Sequence, residues 1–398
     1  MTATWPPVAE TTLPVDAADA ALVGRVWRAD VGGPAVVAVR PDGLYDVTSA
    51  FPTVRDLAET DDPAARLRAA PGERIADLAA VLAATPAEHR DPAVPHLLAP
   101  VDLQVVKAAG VTFVTSMLER VIEERVRGDA GAAAQARAEI HQLVGGDLRA
   151  LRPGSEQAAA LREVLVAEGR WSQYLEVGLG PDAEIFTKAP VLAAVGTATD
   201  AGVHRSSTWN NPEPEVALLV SADGRIVGAT LGNDVNLRDV EGRSALLLPK
   251  AKDNNASAAL GPFVRLFDGA DGGGGFGLDD VRSATVALTV DGPEGFHLDG
   301  TSSMSEISRD PTDLVAQLVG PHHRYPDGAV LYLGTMFAPT ADRHAPGQGF
   351  THESGDLVTV SSPRLGTLTN RIRPSDECEP WTFGVADLMR NLAARKLL

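Results

Sequence analysis

Residues 210–234, NNPEPEVALLVSADGRIVGATLGND, constrain the chain more than any other stretch. Val216 to Val220 and Ile226 to Leu231 read as strands rich in Val, Leu and Ile, and the Asp223-Gly224 pair between them signals a two-residue hairpin turn. Such a turn sets Ala222 opposite Arg225, Glu215 opposite Gly232 and Glu213 opposite Asp234. Side chains two apart on a strand share a face, and so do directly paired residues. Glu213, Glu215 and Asp234 therefore crowd one patch of one face. Facing like charges destabilise a sheet. A divalent cation reverses that sign, and a set of carboxylate oxygens suits a hard metal such as Mg²⁺.

An E-x-E pair by itself reads as a solvated strand face. The flanks move the reading toward a site. Ser206 to Pro212 is polar and turn-like. After Asp234 come Asn236, Arg238, Asp239, Glu241 and Arg243, then Lys250, Lys252, Asp253, Asn254 and Asn255. Polar clusters bounding apolar strands mark a site built at strand ends.

The 398 residues suffice for two domains and a full core. With 35 Lys plus Arg against 53 Asp plus Glu, the net charge is −18, a field that repels phosphate backbones and excludes nucleic acid as a partner. The single cysteine, Cys378, allows no internal disulfide. Asp376, Glu377 and Glu379 around it argue against a reactive thiolate. No apolar run reaches the ~18 residues of a membrane span, and MTATWPPVAETT does not read as a signal peptide. A cytoplasmic protein with no membrane partner is expected.

Along the chain, residues 1–98 read as a small mixed α/β domain. Strands are expected at Leu22 to Arg28 and Ala35 to Arg40, a turn at Pro41-Asp42-Gly43, and helices at Thr53 to Glu59 and Glu73 to Ala84. The Pro-rich run Pro92 to Val101 reads as a linker. Residues 99–398 form the second unit. Its segment 117–169 is helical, with Leu118, Val121, Ile122 and Val126 at helical spacing and charged residues between them. From Glu184 to about residue 375 the texture is β: Val191 to Gly196, the hairpin, Gly261 to Phe267, Ala284 to Val290, Ala329 to Gly334 and Leu357 to Ser361. Gly272 to Gly275 lacks a following GK[ST] and a following helix, so it reads as a hairpin connection and not a phosphate loop. A helix from Val385 to Lys396 closes an α+β chain. His297, His322, His323, His344 and His352 show no metal-binding spacing and read as surface or loop residues.

Glu213-Pro214-Glu215, Gly232 to Asp239, Lys252 and Gly261-Pro262-Phe263 together resemble the fumarylacetoacetate hydrolase family, which carries E-x-E, an NDVSARD-like run, a lysine and an LGPW-like strand in this order. Asp234 follows Glu215 by 19 residues and Lys252 follows Asp234 by 18. Phe186-Thr187-Lys188, Gly334-Thr335 and Ser354 to Val358 extend the resemblance over about residues 100–375. It implies a mixed β-sandwich roll in which Glu213, Glu215 and Asp234 bind Mg²⁺, with Mn²⁺ a possible substitute. It also implies a 2-keto acid substrate and a homodimer or homotetramer.

Hydrolases of the family carry an NYxxHAxE-like segment whose His and Glu activate water. Here the stretch is Thr112 to Glu119, with Glu119 retained and Ser116 in place of the His. In this respect the chain is similar to the family's sugar-acid dehydratases, which act on 2-keto-3-deoxy-pentonates (arabinonate, xylonate) and yield 2,5-dioxopentanoate. That reading gives Lys252 and Glu119 proton-carrying roles. Ser116, Lys188, Arg205, Arg238, Asn255, Thr335 and the Gly334 amide become candidate substrate contacts. Two rivals remain: a C–C bond hydrolase of a diketo acid or acylpyruvate, and a non-catalytic protein whose carboxylates bind a structural metal.

Overall fold

In the computed structural model, residues 4–143, 151–269, 274–337 and 339–398 are described. The strands Pro214–Val220 and Ile226–Asp234 form the expected hairpin, but its turn is one residue longer than Asp223-Gly224 implies. Ser221, and not Ala222, faces Arg225: the Ser221 amide donates to the Arg225 carbonyl at 2.9 Å. A bulge between Ile226 and Gly228 absorbs the extra residue. Beyond it Gly228 pairs with Leu219, Leu231 with Val216 and Gly232 with Glu215, the register the sequence predicts.

This hairpin lies inside an eleven-stranded mixed sheet. On one side of it is Ala258–Leu266. On the other are Ala329–Tyr332, then Val105–Gly110 in parallel, then Glu184–Ala189. Pro214–Val220 is buried along its whole length, which explains the unbroken VALLV run: a strand covered on both faces has no reason to alternate. Its face carrying Val216, Leu218 and Val220 packs on a second, five-stranded sheet through Val286, Leu288, Val358, Val360 and Leu368. The opposite face, carrying Ala217 and Leu219, packs with Leu260, Val330 and Tyr332. Glu213 and Glu215 share the parity of Ala217, so the carboxylates fall at the end of this second face.

Strands between residues 22 and 98 extend the same sheet. Leu22–Arg28 pairs with Ala258–Leu266 through Leu22 to Arg265 and Val23 to Val264, followed outward by Gly33–Arg40, Gly43–Asp46 and Glu73–Ala76. The buried Asp102 side chain accepts from the amides of Val54 and Arg55 at 2.6 and 3.1 Å, capping the helix Val54–Ala58 from across residue 98.

Four local expectations are corrected. Glu73–Ala76 is an edge strand and only Leu78–Ala84 is helical. Ladder bonds to Gly43–Asp46 decide the first half against its helical propensity. The linker contains the strand His96–Leu98, paired with Leu22–Arg28. Val191 to Gly196 supplies a single bridge, Val195 to Ala259, while Glu184–Ala189 and Thr199–Val203 are the strands around it. Gly272 and Gly273 fall outside the described residues, and a short helix, Leu278–Arg282, does follow the tract.

Between the strands Val105–Gly110 and Glu184–Ala189 run the helices Val114–Arg125, Ala130–Leu143, Glu156–Ala167 and Gln173–Leu179. Val114–Arg125 buries Glu119, Arg120 and Glu123 together with Met117 and Ile122. Residues three and four apart lie on one helix face, so these three charges point inward together.

Candidate functional site

The hairpin register brings the three carboxylates together. The Asp234 amide donates to the Glu213 carbonyl at 3.0 Å, and Gly232 stands opposite Glu215. One carboxylate oxygen from each of Glu213, Glu215 and Asp234 lies within 4.8 Å of the others. All three residues are buried, none more than 2% exposed. Asn233 Oδ1 accepts from the Glu213 amide at 3.0 Å, and the Gly334 amide donates to Glu215 Oε2 at 2.7 Å. The Gly334 amide is thus engaged by the triad.

Two buried lysines face this cluster. Lys252 Nζ lies 2.5 Å from Glu213 Oε2 and 3.1 Å from Asp234 Oδ2. Lys188 Nζ lies 2.7 Å from Asp234 Oδ1 and donates to the carbonyls of Val235 and Lys252 and to Ser257 Oγ. Lys188 therefore ties the strand Ile226–Asp234 to the end of the short helix Leu248–Lys252. Burial pushes the Glu215 carboxyl well above its usual range, and the charges of Asp234 and Glu213 push it further. Burial also raises Glu213, against Lys252 and Arg120. For Asp234 burial is outweighed by Lys188 and Lys252, which hold it below the usual value. Lys252 resists burial because Asp234 and Glu213 raise it above an ordinary lysine. Glu215 pairs with no cationic side chain among the described residues. Three buried oxygen donors, one of them short of positive charge, fit a hard divalent cation such as Mg²⁺.

Around this centre runs a layer of arginines and carboxylates that the sequence reading missed in part. Arg120 pairs with Glu213, with Glu123 at 2.5 Å and with Glu241 at 3.5 Å. Arg238 donates to Glu123 at 2.6 Å, to Glu119 at 2.9 Å and to the Pro339 carbonyl, and its guanidinium stacks 4.5 Å from the Trp209 ring. Arg137 grips Glu119 with two bonds of 2.7 Å. Burial opposes the charge of Glu119, but Arg137 and Arg238 outweigh it and hold its carboxyl below the usual range. Glu184 stands nearby with its carboxyl pushed up to about 7 by burial and by Glu241. The available signal was the spacing of Glu119, Arg120 and Glu123 on one helix.

The remaining candidates divide. Ser116 Oγ is buried and donates to the Phe113 carbonyl at 2.9 Å. Thr335 Oγ1 donates to the Phe337 carbonyl at 3.1 Å, beside Gly334. Asn255 instead fastens the C-terminal segment, donating to the carbonyls of Ser375 and Glu379 and accepting from the Trp381 amide. Arg205 is exposed and pairs with Asp376 and Glu377. Cys378 is buried, its thiol pushed up to about 12, chiefly by burial. His352 lies in a loop, one of the two places expected for the histidines, but it is buried there with Nδ1 3.0 Å from Asp356 Oδ2.

Residues 185–373 match the fumarylacetoacetate (FAA) hydrolase C-terminal family. The chain carries a fumarylacetoacetate hydrolase C-terminal domain. The domain holds Lys188, the triad, Lys252 and His352, whereas Glu119, Arg120 and Arg137 come from the helices that precede it. A probable 2-keto-3-deoxyxylonate dehydratase of Haloferax volcanii is 30% identical over 199 residues, 50% of this chain and 63% of that protein. A 2-dehydro-3-deoxy-D-arabinonate dehydratase of Saccharolobus solfataricus is 29% identical over 190 residues, 48% of this chain and 58% of that protein. The chain thus matches less than two thirds of the length of either relative. Among solved structures, a 2-keto-3-deoxy-D-arabinonate dehydratase complexed with magnesium and 2,5-dioxopentanoate superposes with a TM-score of 0.59 at 18% identity, covering 89% of this chain and 99% of that one. This likeness establishes the α+β fold. No helix among the described residues is long and apolar enough to cross a membrane.

Proposed function

We propose that this protein is a Mg²⁺-dependent dehydratase that converts 2-dehydro-3-deoxy-D-pentonate, the arabinonate or xylonate derivative, to 2,5-dioxopentanoate. The observation that carries the reading is the buried Glu213, Glu215 and Asp234 triad with Lys252 set among its oxygens. The names of the two relatives support the reaction class. Bound by the triad, Mg²⁺ would supply Lewis-acid polarisation of a 2-keto acid, a role Mn²⁺ could also fill.

The chain's own residues account for the rest. Lys252 holds a positive charge in the patch where an enolate oxygen develops when a C3 proton leaves. Elimination then expels the C4 hydroxyl, which takes up a proton and departs as water. Transfer of a C5 proton to C3 converts the remaining hydroxy-enone, through its enol, into the 5-aldehyde. Glu119 serves as the second proton carrier once its bonds to Arg137 open. Ser116, in the position of the hydrolases' histidine, leaves no imidazole there to activate water, and elimination needs none. The active assembly is a homodimer or homotetramer.

Product analysis tests the reading. With Mg²⁺ and each of the 2-keto-3-deoxy-D- and L-pentonates, one should yield 2,5-dioxopentanoate, while an acylpyruvate such as fumarylpyruvate stays intact. Release of pyruvate from the acylpyruvate, with neither pentonate dehydrated, would establish the hydrolase instead.

A further inference from the structure

His352 is held in one orientation by charge. Its Nδ1 lies 3.0 Å from Asp356 Oδ2, and Asp356 is fixed by Arg343 at 2.6 and 2.7 Å and by the Glu353 amide. A carboxylate facing Nδ1 places the proton on that nitrogen, which leaves Nε2 as an acceptor. Burial keeps the ring neutral against the pull of Asp356. Nε2 has no hydrogen-bond partner among the described residues, although His352 is buried. Buried polar atoms without partners are few in folded proteins. Trp209 Nε1, Asn211 Oδ1 and both side-chain polar atoms of Asn236 are likewise without partners among the described residues.

Local contacts tie these residues to the segments that carry the carboxylate triad. The His352 amide donates to Asn210 Oδ1 at 3.1 Å, and Asn210 lies three residues before Glu213. A Cβ at Gly349 would stand 3.8 Å from Trp209 Nε1. Asn211 and Asn236 bridge each other, Asn236 lying two residues after Asp234. Donors and acceptors without partners among the described residues, on segments next to a centre suited to a 2-keto acid, have the chemistry to bind hydroxyl groups.

We propose that His352 Nε2 accepts a hydrogen bond from the terminal hydroxyl of the substrate, making it the residue that selects a hydroxylated 2-keto acid over an unsubstituted one. The inference rests on the reading of the triad as a 2-keto acid site. It does not require dehydration. A pocket that hydrogen-bonds a hydroxyl discriminates against the analogue lacking it, because its own polar group is then left unpaired.

The experiment uses two acids that lack the C4 leaving group and cannot be dehydrated: 5-hydroxy-2-oxopentanoate and 2-oxopentanoate. Calorimetric titration of the Mg²⁺-loaded protein should show the hydroxylated acid bound about tenfold more tightly. His352→Asn keeps an amide able to face Asp356 but removes the group at the Nε2 position, and it should abolish the preference. His352→Gln, whose terminus reaches toward that position, should retain part of it. Mg²⁺ affinity should be unchanged in both variants, which also certifies that they fold. Equal affinities of the two acids for the unaltered protein would overturn the proposal and assign Nε2 to a buried water. A preference that survives in His352→Asn, or no binding of either acid to the Mg²⁺-loaded protein, would overturn it as well. Selective binding without dehydration of any pentonate would refute the reaction and leave the role of His352 standing.

Discussion

Lys188 Nζ stands 2.7 Å from Asp234 Oδ1, and neither side chain reaches solvent. The lysine spends its other hydrogen bonds on the Val235 and Lys252 carbonyls and on Ser257 Oγ. The sequence reading set it as a substrate contact; its bonds within the structure go to Asp234 and to these three oxygens.

Breaking a buried ion pair by removing one partner is far more damaging than its absence from the start, because the other charge stays buried. Lys188→Met should therefore lower stability by about 3 kcal/mol in urea unfolding. A change within about 0.5 kcal/mol would show that Lys252 alone compensates Asp234.

Glu215→Gln should weaken Mg²⁺ binding while leaving the metal-free protein as stable as before, or more so. The sign follows from linkage. The Glu215 carboxyl is raised well above its ordinary 4.5, so the native state holds its proton longer than the unfolded state does. Stability without metal then falls as pH rises from about 4.5 through the raised value. The Gln variant should lose that slope. Melting temperatures of the metal-free proteins between pH 4 and 8 decide the point: parallel curves for both would remove Glu215 as the titrating group, and unchanged Mg²⁺ affinity would remove it as a ligand.

The contrast between Glu215 and His352 shows what the sequence made legible. Glu213, Glu215 and Asp234 could be placed because strand periodicity and register are local rules. The register survived even a misread turn, since the bulge between Ile226 and Gly228 restored it before the triad. Fold class, the helical segment 117–169 and most strands were legible for the same reason. Glu73–Ala76 and His96–Leu98 were not, because their partners lie elsewhere in the chain and outweigh local propensity. Glu119 drew notice only through the family resemblance, and Arg120 and Glu123 drew none, because charge on a helix ordinarily means solvent. Only the arrival of Arg137, Arg238, Glu213 and Glu241 makes that face an interior one. His352 was hidden likewise: nothing in its spacing reports that Asp356 and Arg343 bury with it.

Lys252→Met should reduce kcat by at least about a hundredfold while KM changes little. Its charge faces the oxygens where negative charge grows during enolisation, and interactions realised in the transition state appear in kcat. Steady-state kinetics at saturating Mg²⁺ separates the two constants. A normal kcat with a raised KM would make Lys252 a uniform binding group.

Arg137 controls Glu119. Its two 2.7 Å bonds help hold the Glu119 carboxyl below its ordinary value, with Arg238 supplying the rest. Arg137→Leu removes part of that pull, so the Glu119 carboxyl should rise. If Glu119 carries a proton in turnover, the acid limb of the kcat/KM profile should move to higher pH in the variant. An acid limb at the same pH in both proteins would separate Glu119 from the proton transfers and leave it as an anchor for two arginines.

Gly232 tests whether the triad depends on the packing beneath it. Its backbone is not in the left-handed region, so the demand for glycine is steric: a Cβ would overlap the Tyr332 ring. Tyr332 is fully buried and its hydroxyl donates to the Ala259 carbonyl at 2.6 Å, so the ring cannot swing aside without losing that bond. Gly232→Ala should cost about 2 kcal/mol through overpacking. It should also weaken Mg²⁺ binding, because the displaced strand carries Asp234 and pairs with Glu215. The cause can be isolated with a second substitution. Tyr332→Leu makes room at some cost of its own, and in that background Gly232→Ala should be cheaper, giving a coupling of about 1 kcal/mol in a double-mutant cycle. Simple additivity of the two costs would show that Gly232 is required for some reason other than the tyrosine ring.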